Sequence, residues 1–211
     1  MGRTALFEFD QARGSVVAGA DEAGRGCLAG PIVAAGVRLD YNRLSSEDLE
    51  ALSGVNDSKK LTAARREELF SEISRAATSV AIIVRSASYI DTHGLHRTNL
   101  HCLGTALSRV ATPETVLISD GYMPFGLDQE CEAVVKGDAT SAAIAAASIV
   151  AKVSRDRFMS HAALSFPEYG FEQHVGYATP THRDAIIEFG PTTLHRRSFA
   201  SAAYEQFELV A

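Results

Sequence analysis

The sequence predicts an α/β domain: a largely buried, mixed central sheet flanked by helices, with a C-terminal helical extension packed beside it. Short β-branched runs alternate with helical stretches along the chain, the pattern of helices layered on a sheet. One long alanine-rich segment, Thr140–Met159, is apolar nearly all round through Val153, so as a helix it has to lie inside. The composition, 46% hydrophobic and 22% charged over 211 residues, is that of an ordinary globular chain with room for one sizeable core. Residues 1–165 are read as the core domain and residues 166–211 as the extension.

Each element has its own signal. Ser15–Ala20 is a β-rich run that leads straight into Asp21-Glu22 and then Gly24-Arg25-Gly26, and Ile32–Leu39 is a second strand after Pro31. Asn42–Asp57 is polar and reads as a loop with one helical turn at most. Leu61–Ala76 is a helix with Thr62 as N-cap and Leu69, Ile73 and Ala76 on one face. Val80–Val84 reads as a buried strand. Leu95–Val110 is a helix, with Leu95, Leu103 and Leu107 roughly aligned, and Pro113 breaks it. Thr115–Ser119 is a short strand ending at Asp120-Gly121, and Glu132–Val135 a shorter one leading into Lys136-Gly137-Asp138. From Pro167 onward the chain is rich in Gly, Pro and His, with one further helix near Thr181–Phe189.

Charge and cysteine usage narrow the class. No apolar run is long enough for a bilayer span, because the longest, Ala142–Val153, is interrupted by Ser148 and Lys152. Met1–Asp10 carries Arg3, Glu8 and Asp10 and lacks the apolar stretch of a secretion signal. Three cysteines, Cys27, Cys102 and Cys131, show no C-x-x-C spacing and suit reduced thiols. A cytoplasmic protein is therefore expected. The net charge is −6, yet basic residues gather at Lys59–Lys60, Arg65–Arg66, Lys136, Lys152, Arg155, Arg157 and Arg196–Arg197. Solvated faces produce such clusters, and so does a basic rim around a carboxylate-lined metal site.

The acids carry the functional signal. Asp21 ends the first strand, Asp120 the fourth, and Asp138 precedes the buried helix. Ligands gather at strand ends along one edge of an α/β sheet. An ionised carboxylate beside a buried apolar helix costs several kcal/mol unless compensated, and a cation compensates it. Glu22 follows Asp21, so in a regular strand the two would face opposite ways. The glycines at 24 and 26 suggest that the strand has already ended and that the turning chain brings both acids inward. Oxygen ligands without a Cys–His set suit Mg²⁺ or Mn²⁺. Paired cations of this kind serve in-line displacement at phosphorus. The competing reading makes Asp120-Gly121 a turn and Asp138 a helix cap. The glycine loop Gly24–Gly30 has the spacing G-x-G-x-x-x-G, which does not fit a dinucleotide fingerprint, and Asp21 and Glu22 at its mouth would repel a pyrophosphate. It better fits backbone brought close to a sugar–phosphate chain, with Arg25 beside phosphate.

These residues resemble the ribonuclease HII (type 2 ribonuclease H) family of bacteria. The resemblance rests on the run Ala20–Pro31 (A-D-E-A-G-R-G-C-L-A-G-P), Asn56–Leu61 (N-D-S-K-K-L), Val135–Asp138 (V-K-G-D) and Ile144–Lys152. Tyr169-Gly170-Phe171, Gly176-Tyr177 and Leu194–Phe199 (L-H-R-R-S-F) complete it in register, over most of the chain. It implies a ribonuclease H-like fold with a catalytic domain over residues 1–165. It also implies Asp21, Glu22, Asp120 and Asp138 as catalytic metal ligands for two Mg²⁺ or Mn²⁺ ions. Gly24, Arg25 and Gly26 would then read the 2′-hydroxyl at an RNA–DNA junction, the one group that distinguishes the two backbones. Tyr177 would stack on the deoxyribose beyond it. The activity implied is hydrolysis of the RNA strand of RNA/DNA hybrids, and incision 5′ to single ribonucleotides in duplex DNA. The loop Asp120–Phe125 (D-G-Y-M-P-F) departs from the family's usual residues after Asp-Gly.

Further candidates are weighed on their residues. Lys59, Lys60 and Lys136 lie beside the acidic motifs and are read as substrate phosphate contacts. His93, His96 and His101 look metal-like, but no cysteine partner stands near and zinc is set aside. His195 is open between a phosphate contact and a packed histidine. Cys27 is read as a packing residue, with no base near it in sequence. The tail Gln206–Val210 faintly resembles the short peptides that dock on a sliding clamp, and a frayed terminus is the plainer reading. A monomer is expected. The rivals are a hybrid-binding protein without catalysis and a nucleotide-binding phosphotransferase.

Overall fold

A computed structural model describes residues 5–55 and 61–204. Asn56–Lys60 and the tail from residue 205 lie outside the described residues, and with them Lys59, Lys60 and the sliding-clamp-like peptide. In chain order the elements are α1 (Ala5–Gln11), β1 (Val16–Ala23), β2 (Ile32–Asp40), α2 (Ser46–Leu52), α3 (Ala63–Ala76), β3 (Ser79–Arg85), α4 (Ala87–His93) and α5 (Leu95–Val110). They continue as β4 (Val116–Asp120), β5 (Cys131–Val134), α6 (Ala142–Ala163), α7 (Phe171–His174) and α8 (Pro180–Phe189).

The five strands form one mixed sheet in the order β3-β2-β1-β4-β5. The β1–β2 and β2–β3 pairs are antiparallel, whereas β1–β4 and β4–β5 are parallel. Helix α6 crosses one face against β1 and β2, and α5 covers the other against β2 and β3. At Gly19, in the middle of β1, a Cβ would lie 2.3 Å from the Ile144 backbone nitrogen. Only glycine lets α6 approach the sheet this closely. On the α6 side the core runs through Val17, Val37, Ile118 and the alanines of α6. On the α5 side it runs through Ala18, Ala20, Ile32, Leu103 and Leu107. A third cluster joins Leu28, Ala29 and Met159 to Tyr169, Phe171 and Ile186 of the C-terminal segment. Among the described residues no helix is long and apolar enough to cross a membrane.

The caps follow elementary helix chemistry. The Thr62 side chain accepts from Arg65 N–H at 3.2 Å and starts α3. Ser45 and Asp48 form a capping box on α2, within the polar 42–57 stretch. Ser141 caps α6, accepting from Ile144 N–H at 3.2 Å. A long-range partner supports that same end: the Asp10 carboxylate, fully buried, accepts from Ala143 N–H at 2.9 Å and from the Tyr41 hydroxyl at 2.7 Å.

Two expectations about strands are corrected. Strand β3 is at the sheet edge rather than buried, with Val80, Ile82 and Val84 36%, 41% and 46% exposed and Ile83 facing the core. Its β-branched residues report strand geometry, which they favour on an open face as well as a closed one. Strand β1 does not end before the acids either. Asp21 pairs with Ala35 and Glu22 with Ala34 inside the antiparallel ladder, so the two side chains leave opposite faces. The glycines at 24 and 26 come after the last strand residue, Ala23, and turn the chain beyond the acids instead of under them.

Candidate active site

The parallel pairing of β1 and β4 sets the first two acids side by side. Ala20 is in register with Ser119, so Asp21 and Asp120 each stand one residue beyond that pair, on neighbouring strands and on the face covered by α6. Asp21 is buried. Ser148 of α6 donates its hydroxyl to the Asp21 carboxylate, and Glu22 N–H donates to Asp21 Oδ1 at 2.7 Å. A serine within the apolar first half of α6, Ala142–Ala151, needs a buried partner, and this carboxylate is one. Burial raises the Asp21 pKa well above the ordinary carboxylate value, and the neighbouring Glu22 and Asp120 charges raise it further.

Asp120 is tied to the third acidic element. Its Oδ1 accepts from Gly137 N–H at 2.6 Å, in the 3₁₀ turn Gly137–Ala139 that carries Asp138. Lys136 precedes this turn in a left-handed conformation, φ 56°, and its side chain is exposed next to Asp138. Since Ser141 caps α6, Asp138 is not the cap of that helix. Glu22 leaves β1 on the α5 face, half-buried, with its Oε1 3.9 Å from Arg25 Nη1.

The donor chemistry fits hard divalent cations. The Asp21 and Asp120 carboxylates stand on neighbouring strands, with the 137–139 turn bonded to Asp120, and a cation would relieve the charge that adds to the rise of the Asp21 pKa. Among the described residues no three His, Cys, Asp or Glu side chains form a closed ligand cage as they stand. Asp120 is bonded to Gly137 N–H and Asp21 to Ser148.

Gly24 to Pro31 is fixed from below by two buried arginines whose hydrogen bonds go to backbone carbonyls. Arg155 of α6 donates to the carbonyls of Pro31 at 3.0 Å, Val175 at 2.8 Å and Ala29 at 2.9 Å. Arg196 donates to Gly30 at 3.0 Å, Arg25 at 3.0 Å and Pro31 at 3.1 Å. Both side chains are fully buried. Burial lowers the Arg196 pKa to about 10, which leaves it charged at neutral pH. Gly24 adopts φ +92°, and a Cβ there would sit 2.0 Å from Arg155 Nε. The loop therefore needs glycine at 24 both for its turn and for its contact with the arginine. Gly26 is exposed, with open space around its Cα.

Tyr177 reaches the same loop from the C-terminal segment. Its hydroxyl bonds the buried Cys27 thiol, its ring is 43% exposed, and Lys152 Nζ stands 5.7 Å from the ring centroid. Burial raises the Cys27 pKa, so the thiol stays protonated and serves packing. A relay of histidines holds the Tyr177 backbone. His195 Nδ1 accepts from Thr192 N–H at 2.8 Å, so its Nε2–H faces His182 Nε2 at 3.1 Å. His182 Nδ1–H then donates to the Tyr177 carbonyl at 2.8 Å. His195 is thus a packed histidine. Burial lowers the pKa of His182 to about 4 and that of His195 to about 3.

The remaining basic residues are mostly engaged within the fold. Lys152 pairs with Asp156 at 2.7 Å, Arg66 approaches Asp156 at 3.8 Å, Arg65 pairs with Glu68 at 2.9 Å, and Arg157 pairs with Glu67. His93 stacks on Tyr89 at 4.0 Å, His101 bonds Thr105 at 3.3 Å, and His96 packs edge-on against Tyr122 at 5.4 Å. Sequence reasoning missed the roles of Ser148, Arg155, Arg196 and Tyr122. A polar residue inside an apolar helix was the available signal for the first two.

Comparison with known proteins places this geometry. The family model described as Ribonuclease HII matches residues 18–202. The chain is 52% identical over 184 residues to the ribonuclease HII of Rhizobium johnstonii, covering 87% of this chain and 77% of that one. Among solved structures it is similar to the ribonuclease H2 of Pyrococcus horikoshii, with TM-score 0.77 and 28% identity, covering 92% of this chain and 99% of that chain. It is also similar to the protein in the PCNA:RNase HII complex from Archaeoglobus fulgidus, with TM-score 0.73 and 28% identity over 88% of this chain and 96% of that chain. The mixed sheet with its acidic edge is a ribonuclease H-like fold, and the chain belongs to the ribonuclease HII family: it is a ribonuclease H, a metal-dependent endonuclease of the hydrolase class.

Proposed function

We propose that this endoribonuclease, which hydrolyses the RNA strand of RNA/DNA hybrids, also nicks duplex DNA on the 5′ side of a single ribonucleotide, leaving a 3′-hydroxyl and a 5′-phosphate. The observation that carries the reading is the convergence of Asp21, Asp120 and the Asp138 turn at one sheet edge, linked by the Gly137–Asp120 hydrogen bond. Asp21, Glu22, Asp120 and Asp138 hold the metal. A pair of Mg²⁺ or Mn²⁺ ions bound there supplies stabilisation of the charge that develops on the phosphoryl oxygens. Ser148 and Gly137 N–H orient two of the carboxylates, and α6 keeps bulk water from their buried side. Such orientation lowers the reorganisation needed when charge develops.

Recognition belongs to the loop above the arginine clamp. Gly24 and Gly26 let backbone approach the sugar, where a 2′-hydroxyl marks the ribonucleotide, and Arg25 stands beside phosphate. Tyr177 offers its half-exposed ring to the deoxyribose beyond the junction. Lys136 contacts phosphate next to Asp138, and Lys59 and Lys60 are assigned the same role on the strength of their motif. The division into a catalytic domain, residues 1–165, and an extension, residues 166–211, is part of this reading: the extension supplies Tyr177. The enzyme is a cytoplasmic monomer, and the tail Gln206–Val210 docks on a sliding clamp. The PCNA complex of the A. fulgidus relative supports the last point.

The test is cleavage of a labelled DNA duplex containing one ribonucleotide, with Mg²⁺, with Mn²⁺ and with chelator. The expected product is a metal-dependent nick 5′ to the ribonucleotide. Cutting of a continuous hybrid alone would remove the junction role from Gly24–Gly26 and Tyr177. No cutting of either substrate would favour a hybrid-binding protein.

A further inference from the structure

We propose that Tyr122 is a positioning residue for Arg25, holding its guanidinium ready for a substrate phosphate and away from the metal-binding carboxylate Glu22. The inference rests on the reading of Arg25 as a phosphate contact and adds the residue that aims it.

Tyr122 is the second residue after Asp120, and its backbone is fixed on three counts. Gly121 turns the chain at φ +66°, Tyr122 N–H donates to the Asp120 carbonyl at 2.7 Å, and the buried Ser119 hydroxyl donates to the Tyr122 carbonyl. Further along the loop, Phe125 N–H donates to the Leu100 carbonyl at 3.3 Å, so the loop is pinned to α5. The edge of His96 braces the Tyr122 ring, 5.4 Å between centroids at 74°. Tyr122 itself is 40% exposed, so the core does not require an aromatic side chain there. What the ring does touch is Arg25, whose Cζ lies 4.7 Å from the ring centroid.

Arg25 has two competing attachments. Its Nη1 is 3.9 Å from Glu22 Oε1, the outer limit of an ion pair. If the guanidinium closed onto Glu22, cation and carboxylate would satisfy each other, and both would be lost to substrate and metal. An aromatic face holds a guanidinium without neutralising it. Stacking also occupies only the flat face of the guanidinium, so the N–H donors around its rim remain available for a phosphate. Tyr122 thus keeps the cation charged, oriented and apart from the acid, across the gap between the Asp120 turn and the glycine loop.

The test is a double-mutant cycle on Arg25→Ala and Tyr122→Ala, read as binding of a duplex containing one ribonucleotide, in chelator so that no cleavage intervenes. Tyr122→Ala should weaken binding about two- to five-fold, the range expected for an exposed cation–π contact. It should have almost no effect in the Arg25→Ala background, because neighbours that act together are not additive. Tyr122→Phe, which keeps the ring, should restore binding, whereas Tyr122→Leu, which keeps bulk without a π face, should not. The slope of log affinity against log salt should fall by about one for Arg25→Ala, and move the same way for Tyr122→Ala. With metal present the loss should appear in KM rather than in kcat. Normal binding by Tyr122→Ala beside a clear Arg25→Ala defect, or full additivity of the two, would overturn the positioning role alone. An Arg25→Ala variant that binds as well as the wild type would overturn both this role and the phosphate reading beneath it.

Discussion

Two clusters of buried charge lie on either side of the loop Gly24–Pro31, and they differ in what satisfies them. Arg155 and Arg196 below the loop spend their N–H groups on six backbone carbonyl contacts and are complete within the fold. Asp21 and Asp120 at the sheet edge are held by a serine hydroxyl and backbone N–H groups, and burial with the Glu22 and Asp120 charges raises the cost of ionising Asp21. The first cluster is structural and needs nothing from outside. The second carries an uncompensated cost of ionisation that a cation would offset, the pattern that the proposed metal site requires.

The comparison breaks if the two clusters respond alike to substitution. Asp120→Asn should cut cleavage of a hybrid by about 10³-fold or more, in line with losing a preorganised charge-stabilising group. Its melting temperature should hold or rise, because one charge leaves a crowded set. Retained activity would contradict the assignment. Arg155→Ala should do the reverse in kind. It takes the arginine's donor from the Ala29 and Val175 carbonyls, at about 1–3 kcal/mol each, while Pro31 keeps the one from Arg196, so thermal melting should fall by about 5 °C or more. A stable Arg155→Ala protein would show that the clamp is dispensable.

Smaller effects sharpen the boundary between site and scaffold. Tyr177→Ala should weaken binding of single-ribonucleotide duplexes by about ten-fold, the scale of one lost aromatic stacking contact. Tyr177→Phe should bind nearly as well, since only the bond to Cys27 is lost. Equal binding by the alanine variant would remove the stacking role. The smallest effect concerns pH. His182 and His195 have folded pKa values near 4 and 3, below the ordinary 6.5, so the unfolded chain binds protons first as pH falls. Their contribution to stability is complete above about pH 6.5 and is lost as pH falls towards 4 and then 3. Denaturant midpoints at pH 7.5 and pH 5 should therefore differ, and should differ less in His182→Asn. Identical pH dependence in the two proteins would contradict the relay.

Much of this site could be read from the sequence because strand ends and breakers are written locally. Asp120 and Asp138 sit beside the glycines at 121 and 137, Asp21 lies near the end of β1, and α6 declares its burial through its alanines. What local reading could not provide was direction. The glycines at 24 and 26 suggested a turn beneath the acids, but the antiparallel ladder with β2 carries β1 through Glu22 to Ala23. That extension depends on a partner strand, which no local signal announces. Arg155 and Arg196 looked like part of a basic rim, since nothing nearby in sequence shows that all but one of their carbonyl partners are more than 100 positions away. Helices α1 and α4 were likewise missed. Each is seven residues long and held by packing, as when Asp10 bonds the start of α6.

The most direct test of the account is the melting temperature of the wild type and of Asp120→Asn, each in chelator and in saturating Mn²⁺. A cation that binds only the folded acidic edge should raise the wild-type melting temperature, and Asp120→Asn should lose most of that rise. An unchanged wild type, or an equal rise in both proteins, would contradict the claim that the acids at the sheet edge form the metal site.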